Sequence, residues 1–111
     1  SLALVALQKY EEALDLAGFA GSDVAVELQI LRSEARRKVR KLRERHEDHW
    51  YLAAKQKNLS RYQEEALQVL NLVDRDKDGA SYEKWVQRLV RSRIPESEIP
   101  VRIQKLRGGV Q

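Results

Sequence analysis

The sequence of 111 residues contains no cysteine and no methionine, and only two prolines, five glycines and one phenylalanine. Without cysteine the chain offers no disulfide, no thiol nucleophile and no cysteine-bound zinc site, and a reducing, cytoplasmic compartment is favoured. The absence of methionine, even at position 1, indicates a fragment excised from a larger protein. The scarcity of proline and glycine favours long helices.

Long hydrophobic runs are absent as well. The opening segment "SLALVAL" is much shorter than the roughly 18 residues needed to span a bilayer, and no basic residue precedes it. The sequence therefore predicts neither a signal peptide nor a membrane span. Charged residues make up 34% of the chain and hydrophobic residues 42%, a balance that is typical of a helix-rich globular domain.

Apolar residues recur at helical intervals along most of the chain. Steps of three and four predict a first helix over 1–17. From Val24 to Ala53 the apolar positions continue as the stripe of a central helix, and the stripe changes phase at Lys55–Ser60. The pattern predicts a long or twice-broken helix over 23–73. Near-continuity is favoured because neither glycine nor proline interrupts it.

A further helix is predicted over 81–93, with Ser81 as its N-cap. The tail over 94–111 is either extended or holds a short helix that buries Ile99, Ile103 and Leu106. The predicted fold class is all-α, with 1–111 as a single helical domain. The predicted core is drawn from the apolar faces of these helices and comprises Leu7, Tyr10, Leu14, Leu28, Leu31, Leu42, Trp50, Tyr62, Val69, Trp85 and Leu89.

The predicted architecture is an antiparallel helical hairpin or small bundle built on the long central helix. The first helix folds back on the central helix in a coiled-coil-like pairing, and the 81–93 helix and the tail complete the bundle. The remaining helices are too short to cover a central helix of some fifty residues, about 75 Å long. The uncovered stripe over 35–57 therefore predicts a dimer or a partner helix along it.

The stretch "DRDKDGASYEKWVQ" at 74–87 contains an acidic loop between two predicted helices. Its first half matches the first, third, fifth and sixth positions of a calcium loop with Asp74, Asp76, Asp78 and Gly79. Residues 65–90 thereby resemble the helix-loop-helix of the EF-hand family. The resemblance implies a calcium site formed by Asp74, Asp76 and Asp78, with Glu83 as the nearest carboxylate after the glycine.

The second half of that loop departs from the family. The twelfth position, which needs a bidentate carboxylate, falls on Trp85, or on Lys84 if the loop is one residue shorter. The alternative is a polar turn between helices in which Gly79 supplies a positive φ.

Basic residues concentrate in the middle of the chain, where 32–61 holds eleven Lys and Arg against four Asp and Glu. Six of them form a candidate surface for a partner or for phosphates: Arg32, Arg36, Arg37, Arg40, Lys41 and Arg43. This surface fits an acidic protein partner, the phosphates of a nucleic acid, or a solvated face with helical ion pairs such as Arg43 with Glu47. The scarcity of interleaved aromatics disfavours base stacking.

The stretch "HEDHW" places His46 and His49 three residues apart. A zincin motif needs its two histidines four apart, so a metallohydrolase is excluded. Two histidines at this spacing can share a metal, but no third ligand is evident nearby in the sequence, and no cofactor is predicted. A protonated His46 at a helix interface is an alternative, as a mild pH sensor.

No arrangement of residues in the sequence is typical of a catalytic site, so an enzyme is not predicted. The leading hypothesis is a non-catalytic protein-interaction or scaffolding module of a larger cytosolic protein, acting through a protein partner or self-association. A nucleic-acid-binding domain that uses the basic 32–45 surface is the alternative. A calcium-responsive adaptor with an EF-hand-like loop is the second alternative.

Overall fold

The computed structural model describes residues 2–17 and 23–108, and these contain five α-helices. Residue 1 of the predicted first helix and residues 109–111 of the tail lie outside the described residues. The helices are α1 (Leu2–Ala17), α2 (Asp23–Lys55), α3 (Leu59–Leu72), α4 (Gly79–Arg91) and α5 (Ile99–Gly108), with a 3-10 turn at Glu96–Glu98 before α5. These ranges contain no strand, which confirms the all-α prediction for them. The long central helix is α2, with 33 residues. No helix in the described part is both long and apolar enough to cross a bilayer.

The chain divides into two compact units, Ser1–Lys41 and Leu42–Gln111, with the boundary inside α2. In the first unit, Ala6 and Tyr10 of α1 and Leu31 and Ala35 of α2 line one open depression. These residues place α1 beside α2. Three expectations stay predictions: the antiparallel hairpin of α1 with α2, the dimer, and the single domain over 1–111.

The break between α2 and α3 is a Schellman motif. The Lys57 amide donates to the Ala54 carbonyl at 3.2 Å, and the Asn58 amide donates to the Ala53 carbonyl at 3.0 Å. Lys57 has a φ of 56°, in the left-handed region where a helix C-terminus usually has glycine. The expected near-continuity across this point is therefore not observed, because a lysine adopts the conformation that a glycine would have signalled.

The start of α3 is capped by the side chain of the residue just before it. Asn58 is the N-cap, and its Oδ1 accepts a hydrogen bond from the Arg61 amide at 3.1 Å. One short segment thus ends α2 and begins α3 without an intervening loop. The tight connection brings the start of α3 close to the last turns of α2.

The hydrophobic core of the second unit lies among α3, α4 and α5. Its buried members are Ala66, Leu67, Val69, Leu70, Val73, Trp85, Val86, Leu89, Ile94 and Ile99. Trp50 of α2 packs against this core with its ring 5.0 Å from that of Trp85, in an edge-on arrangement. The tail forms the short helix of the two predicted alternatives, because Ile99 is buried and Ile103 and Leu106 pack against the core.

Of the predicted core residues, Val69, Trp85 and Leu89 are buried. The others are half-buried: Leu7, Tyr10, Leu14, Leu28, Leu31, Leu42, Trp50 and Tyr62. The apolar faces thus lie on the inner side of their helices, although among these predicted residues only members of α3 and α4 are fully buried.

The helix predicted over 81–93 begins and ends two residues earlier, at Gly79–Arg91. Asp78 is its N-cap instead of Ser81, since the Asp78 Oδ1 accepts a hydrogen bond from the Ser81 amide at 3.2 Å. Gly79 is the first helical residue and does not have a positive φ. The role predicted for Gly79 in the turn is therefore wrong.

Candidate functional site

The acidic loop uses its aspartates to shape its own backbone. Asp74 Oδ1 accepts hydrogen bonds from the amides of Asp76, at 2.9 Å, and Lys77, at 3.3 Å. Hydrogen bonds from Ser81, through its side chain and then its backbone, lower the pKa of Asp78 below its ordinary value of 3.8. Asp74 therefore stabilises a turn and Asp78 caps α4, which are the usual roles of aspartate between helices.

Glu83, the fourth acid assigned to this loop, is exposed on α4. Its Oε1 accepts a hydrogen bond from Gln87 Nε2 at 3.0 Å. In the described part of the chain, no three side chains of the acidic loop bring their ligand atoms within 4.8 Å of one another. The calcium hypothesis stays a prediction.

The basic residues predicted as a binding surface differ in how accessible they are. Arg36 is exposed and donates from Nη2 to Glu11 Oε1 of α1 at 3.3 Å. Arg37, Arg40 and Lys41 are also exposed on α2. These four cations belong to the first unit, and they are the part of the predicted surface that a partner or a phosphate can reach.

Two other members of that predicted surface are half-buried. Arg32 has a buried Nε without a hydrogen-bond partner among the described residues. Arg43 belongs to the second unit, where its Nε donates to Glu47 Oε1 at 2.8 Å, as the i, i+4 spacing predicted. Packing and pairing thus remove Arg32 and Arg43 from the readily accessible cations.

His46, His49 and Glu65 meet between α2 and α3. His46 Nδ1 lies 2.5 Å from Glu65 Oε2, and His49 Nδ1 lies 3.7 Å from Glu65 Oε1. The Arg61 Nη2 is 3.9 Å from Glu65 Oε1. His46, His49 and Glu65 each offer a ligand atom within 4.8 Å of the other two. They are the only such group of three among the described residues.

The fold explains why a carboxylate from another helix reaches these histidines. His46 contacts Glu65, whereas Trp50, one turn later in α2, contacts Tyr62, one turn earlier in α3, with ring centroids 5.3 Å apart. The two helices therefore run in opposite directions past each other at this point. Glu65 was missed from the sequence because it lies sixteen residues beyond His49, and only the chain reversal at Asn58 brings the two together.

A groove of about 350 Å³ opens beside the junction of α2 and α3, and we refer to it as the junction groove. Its walls are the residues Ala53, Ala54, Lys57, Asn58, Leu59, Tyr62, Arg91 and Ser92. Leu59 is 49% exposed there, and Leu52, which lines the neighbouring cavity, is 52% exposed. Large apolar side chains are thus accessible to a partner at this end of α2.

The end of α4 forms one wall of the junction groove and repeats the geometry at the end of α2. The Arg93 amide donates to the Val90 carbonyl at 3.1 Å, and the Ile94 amide donates to the Leu89 carbonyl at 3.2 Å. Arg93 has a φ of 78°. Gln63 of α3 donates from Nε2 to the Ser92 carbonyl at 2.6 Å, which holds the end of α4 against α3.

No family model matches the chain, and neither a curated protein nor a solved structure is significantly similar to it. The function must therefore be inferred from the side chains and surfaces of the chain itself. Two features stand out among the described residues: the junction groove with its accessible apolar side chains, and the cluster of two histidines and one glutamate.

Proposed function

We propose that the chain is a non-catalytic protein-interaction module whose junction groove binds an acidic, amphipathic segment of a partner protein. The observation that supports this proposal best is the exposure of Leu59 at the groove, which the cationic residues Lys57 and Arg91 also line. An apolar floor with a charged rim is the usual composition of a surface that binds an amphipathic helix.

The apolar part of the groove supplies the binding energy in this proposal. Ala53, Ala54 and Tyr62 line the groove beside Leu59, and a leucine or aromatic side chain of the partner would be buried against them. Burying a side chain of that size contributes about 1.5–3 kcal/mol. A few such anchors, rather than the total contact area, account for most of the affinity of small interfaces.

The charge at the groove favours an acidic partner over a second copy of the chain. The lining of the groove includes the cations Lys57 and Arg91 and no Asp or Glu, and the segments 55–62 and 88–93 that supply most of it hold no Asp or Glu either. A second copy seated on the same face would bring like charges together, which opposes association. Carboxylates beside the apolar anchors of a different protein would pair with these cations and speed the encounter.

Selection of peptides from a random library on the immobilised chain tests this proposal. We expect the enriched peptides to have a net negative charge, with large apolar residues at intervals of three and four. Anisotropy titrations with the enriched peptides should show at least a tenfold loss of affinity, or about 1.4 kcal/mol, for Leu59→Asp and for Arg91→Glu. Circular dichroism of each variant shows whether the helices persist.

Val101→Asp is the matched control, because Val101 is a similarly exposed apolar residue of α5 outside the groove. We expect it to bind the peptides like the original chain. The proposal is contradicted if the enriched peptides lack negative charge, if none is enriched, or if Leu59→Asp and Val101→Asp behave alike. Two further results would support the rivals instead: salt-dependent binding of duplex DNA that is lost on replacing Arg37 and Arg40 with glutamate, or a dimer in sedimentation that Leu59→Asp dissociates.

A further inference from the structure

We propose that His46, His49 and Glu65 bind one Zn²⁺ ion that fastens α2 to α3. Three ligand atoms already converge there, one ring nitrogen from each histidine and one oxygen of the Glu65 carboxylate, within 4.8 Å of one another. The site is separate from the junction groove and does not depend on the function proposed for that groove.

The distances fit a tetrahedral ion after a small adjustment. Zinc binds nitrogen and carboxylate oxygen at about 2.0–2.2 Å, which places two tetrahedral ligands roughly 3.4 Å apart. The glutamate oxygens lie 2.5 Å from His46 Nδ1 and 3.7 Å from His49 Nδ1, so the observed separations bracket that value. The His46–Glu65 pair must separate by about 1 Å to admit the ion.

The donor atoms select the class of metal. Two imidazole nitrogens and one carboxylate oxygen suit zinc, copper and nickel, whereas calcium and magnesium prefer a shell made of oxygens. Zinc is bound in many proteins by three side chains with a fourth position open to water. His49 also lines a neighbouring open cavity of about 280 Å³, which gives a water molecule access to that fourth position.

The surroundings shield the carboxylate but leave one side of the site accessible. The side chain of Glu65 is 12% exposed and that of His46 is 19% exposed, whereas His49 is 39% exposed. A largely shielded carboxylate holds a cation more strongly than a solvated one. The exposed side at His49 provides the path by which an ion enters.

Without metal, the same residues form a hydrogen-bonded pair with a cation beside it. Arg61 is the charged group that competes with the ion, since its Nη2 lies 3.9 Å from Glu65 Oε1. Its side chain is 53% exposed and extends from the same helix as Glu65, so it can turn toward solvent when the ion binds. Zinc binding also requires one deprotonated ring nitrogen from each histidine.

Zinc uptake by the full chain tests the proposal, measured by competition with a chromogenic chelator at neutral pH. We expect one Zn²⁺ per chain, with a dissociation constant below about 100 μM. Bound Co²⁺ should show the strong visible absorption of a tetrahedral site. His49→Ala and Glu65→Gln should each weaken zinc binding by more than the roughly 10- to 100-fold loss that follows removal of an outer-shell partner.

Glu64→Gln is the matched control, because Glu64 is the adjacent, exposed carboxylate outside the cluster. Zinc should raise the midpoint of thermal unfolding of the original chain and of Glu64→Gln, but not that of His49→Ala. His49 is the most exposed ligand, so its variant keeps the test valid if Glu65→Gln does not fold. The proposal is overturned if the original chain takes up no zinc, or if His49→Ala binds zinc as tightly as Glu64→Gln.

Discussion

Lys57 and Arg93 adopt the same left-handed backbone conformation at equivalent positions, two residues beyond the ends of α2 and α4. Each amide closes a Schellman motif that normally contains glycine. A residue with a side chain is about 1–2 kcal/mol less stable in this conformation than in the right-handed helix. A cation near a helix C-terminus offsets part of that cost, because it interacts favourably with the helix dipole.

Replacing Lys57 with glycine should therefore stabilise the protein. We expect Lys57→Gly to raise the free energy of unfolding by about 0.5–1 kcal/mol in urea titrations, since glycine adopts a positive φ without a steric penalty. Lys57→Ala is the control, because it removes the charge but keeps the strained conformation, and it should be no more stable than the original chain. A loss of stability in Lys57→Gly would show that the lysine side chain contributes more than its backbone strain costs.

The same variant separates stability from binding. If Lys57 contacts carboxylates of a partner at the junction groove, Lys57→Gly should be more stable than the original chain and yet bind the selected acidic peptides less tightly. Non-glycine residues in strained conformations are often retained for such functional reasons. Equal peptide affinity in Lys57→Gly and the original chain would remove Lys57 from the binding surface.

A partly buried hydrogen bond attaches α5 to α3. Arg107 donates from Nε to Asn71 Oδ1 at 2.8 Å, and Asn71 is buried. Arg107→Met should lower the free energy of unfolding by roughly 1–3 kcal/mol, because the Asn71 oxygen then lacks its partner. Replacing both partners with apolar residues, Asn71→Leu together with Arg107→Met, should recover part of the lost free energy of unfolding.

Arg102→Met is the comparison for this effect. Arg102 pairs with Glu98 at 3.4 Å on the surface, where both side chains are about half exposed. An exposed pair of this kind contributes about 0–1 kcal/mol. If Arg102→Met and Arg107→Met were equally destabilised, the contact with Asn71 would not be what holds α5 in place.

The guanidinium of Arg88 lies over both tryptophan rings. Its carbon is 4.4 Å from the centroid of Trp50 and 4.5 Å from that of Trp85. Arg88→Met keeps much of the apolar stem and removes the charge, so we expect a loss of about 1–2 kcal/mol. The tryptophan emission of the folded protein should change as well. Arg75→Met, which alters a more distant contact with Tyr82 at 5.4 Å, should have the smaller effect on both measurements.

Periodicity along the sequence was sufficient to predict the helical segments before the tail and their inward-facing sides, whereas it left the tail either helical or extended. It was not sufficient to locate the break after α2. Helix C-termini are recognised from the sequence through glycine, and at this position a lysine adopts the left-handed conformation. The start of α4 was misplaced for a related reason, since Asp78 and Ser81 are both good N-caps and the aspartate takes that role.

The candidate sites were predictable only where their residues are close together in the sequence. The aspartates of the acidic loop and the cations of α2 are short-range patterns, whereas the cluster of His46, His49 and Glu65 combines two helices. Its geometry depends on where the chain reverses, and that reversal is the feature that the sequence did not signal. The junction groove is of the same kind, because Leu59 and Arg91 are brought together by the packing of α3 and α4.

The N-cap of α4 should weaken in acid. Hydrogen bonds from the Ser81 side chain and backbone lower the pKa of Asp78 below 3.8 in the folded protein. A carboxylate of this kind stabilises the fold fully above pH 3.8, and its contribution is lost as the pH falls through the lowered folded-state pKa. We expect NMR titration of the Asp78 side-chain carbon to show a midpoint below 3.8, and Ser81→Ala to raise that midpoint.

Asp78→Asn, which keeps a capping oxygen but cannot titrate, should lose less stability than the original chain across the same acid range. An unshifted midpoint, or one insensitive to Ser81→Ala, would mean that Asp78 does not accept these hydrogen bonds in solution.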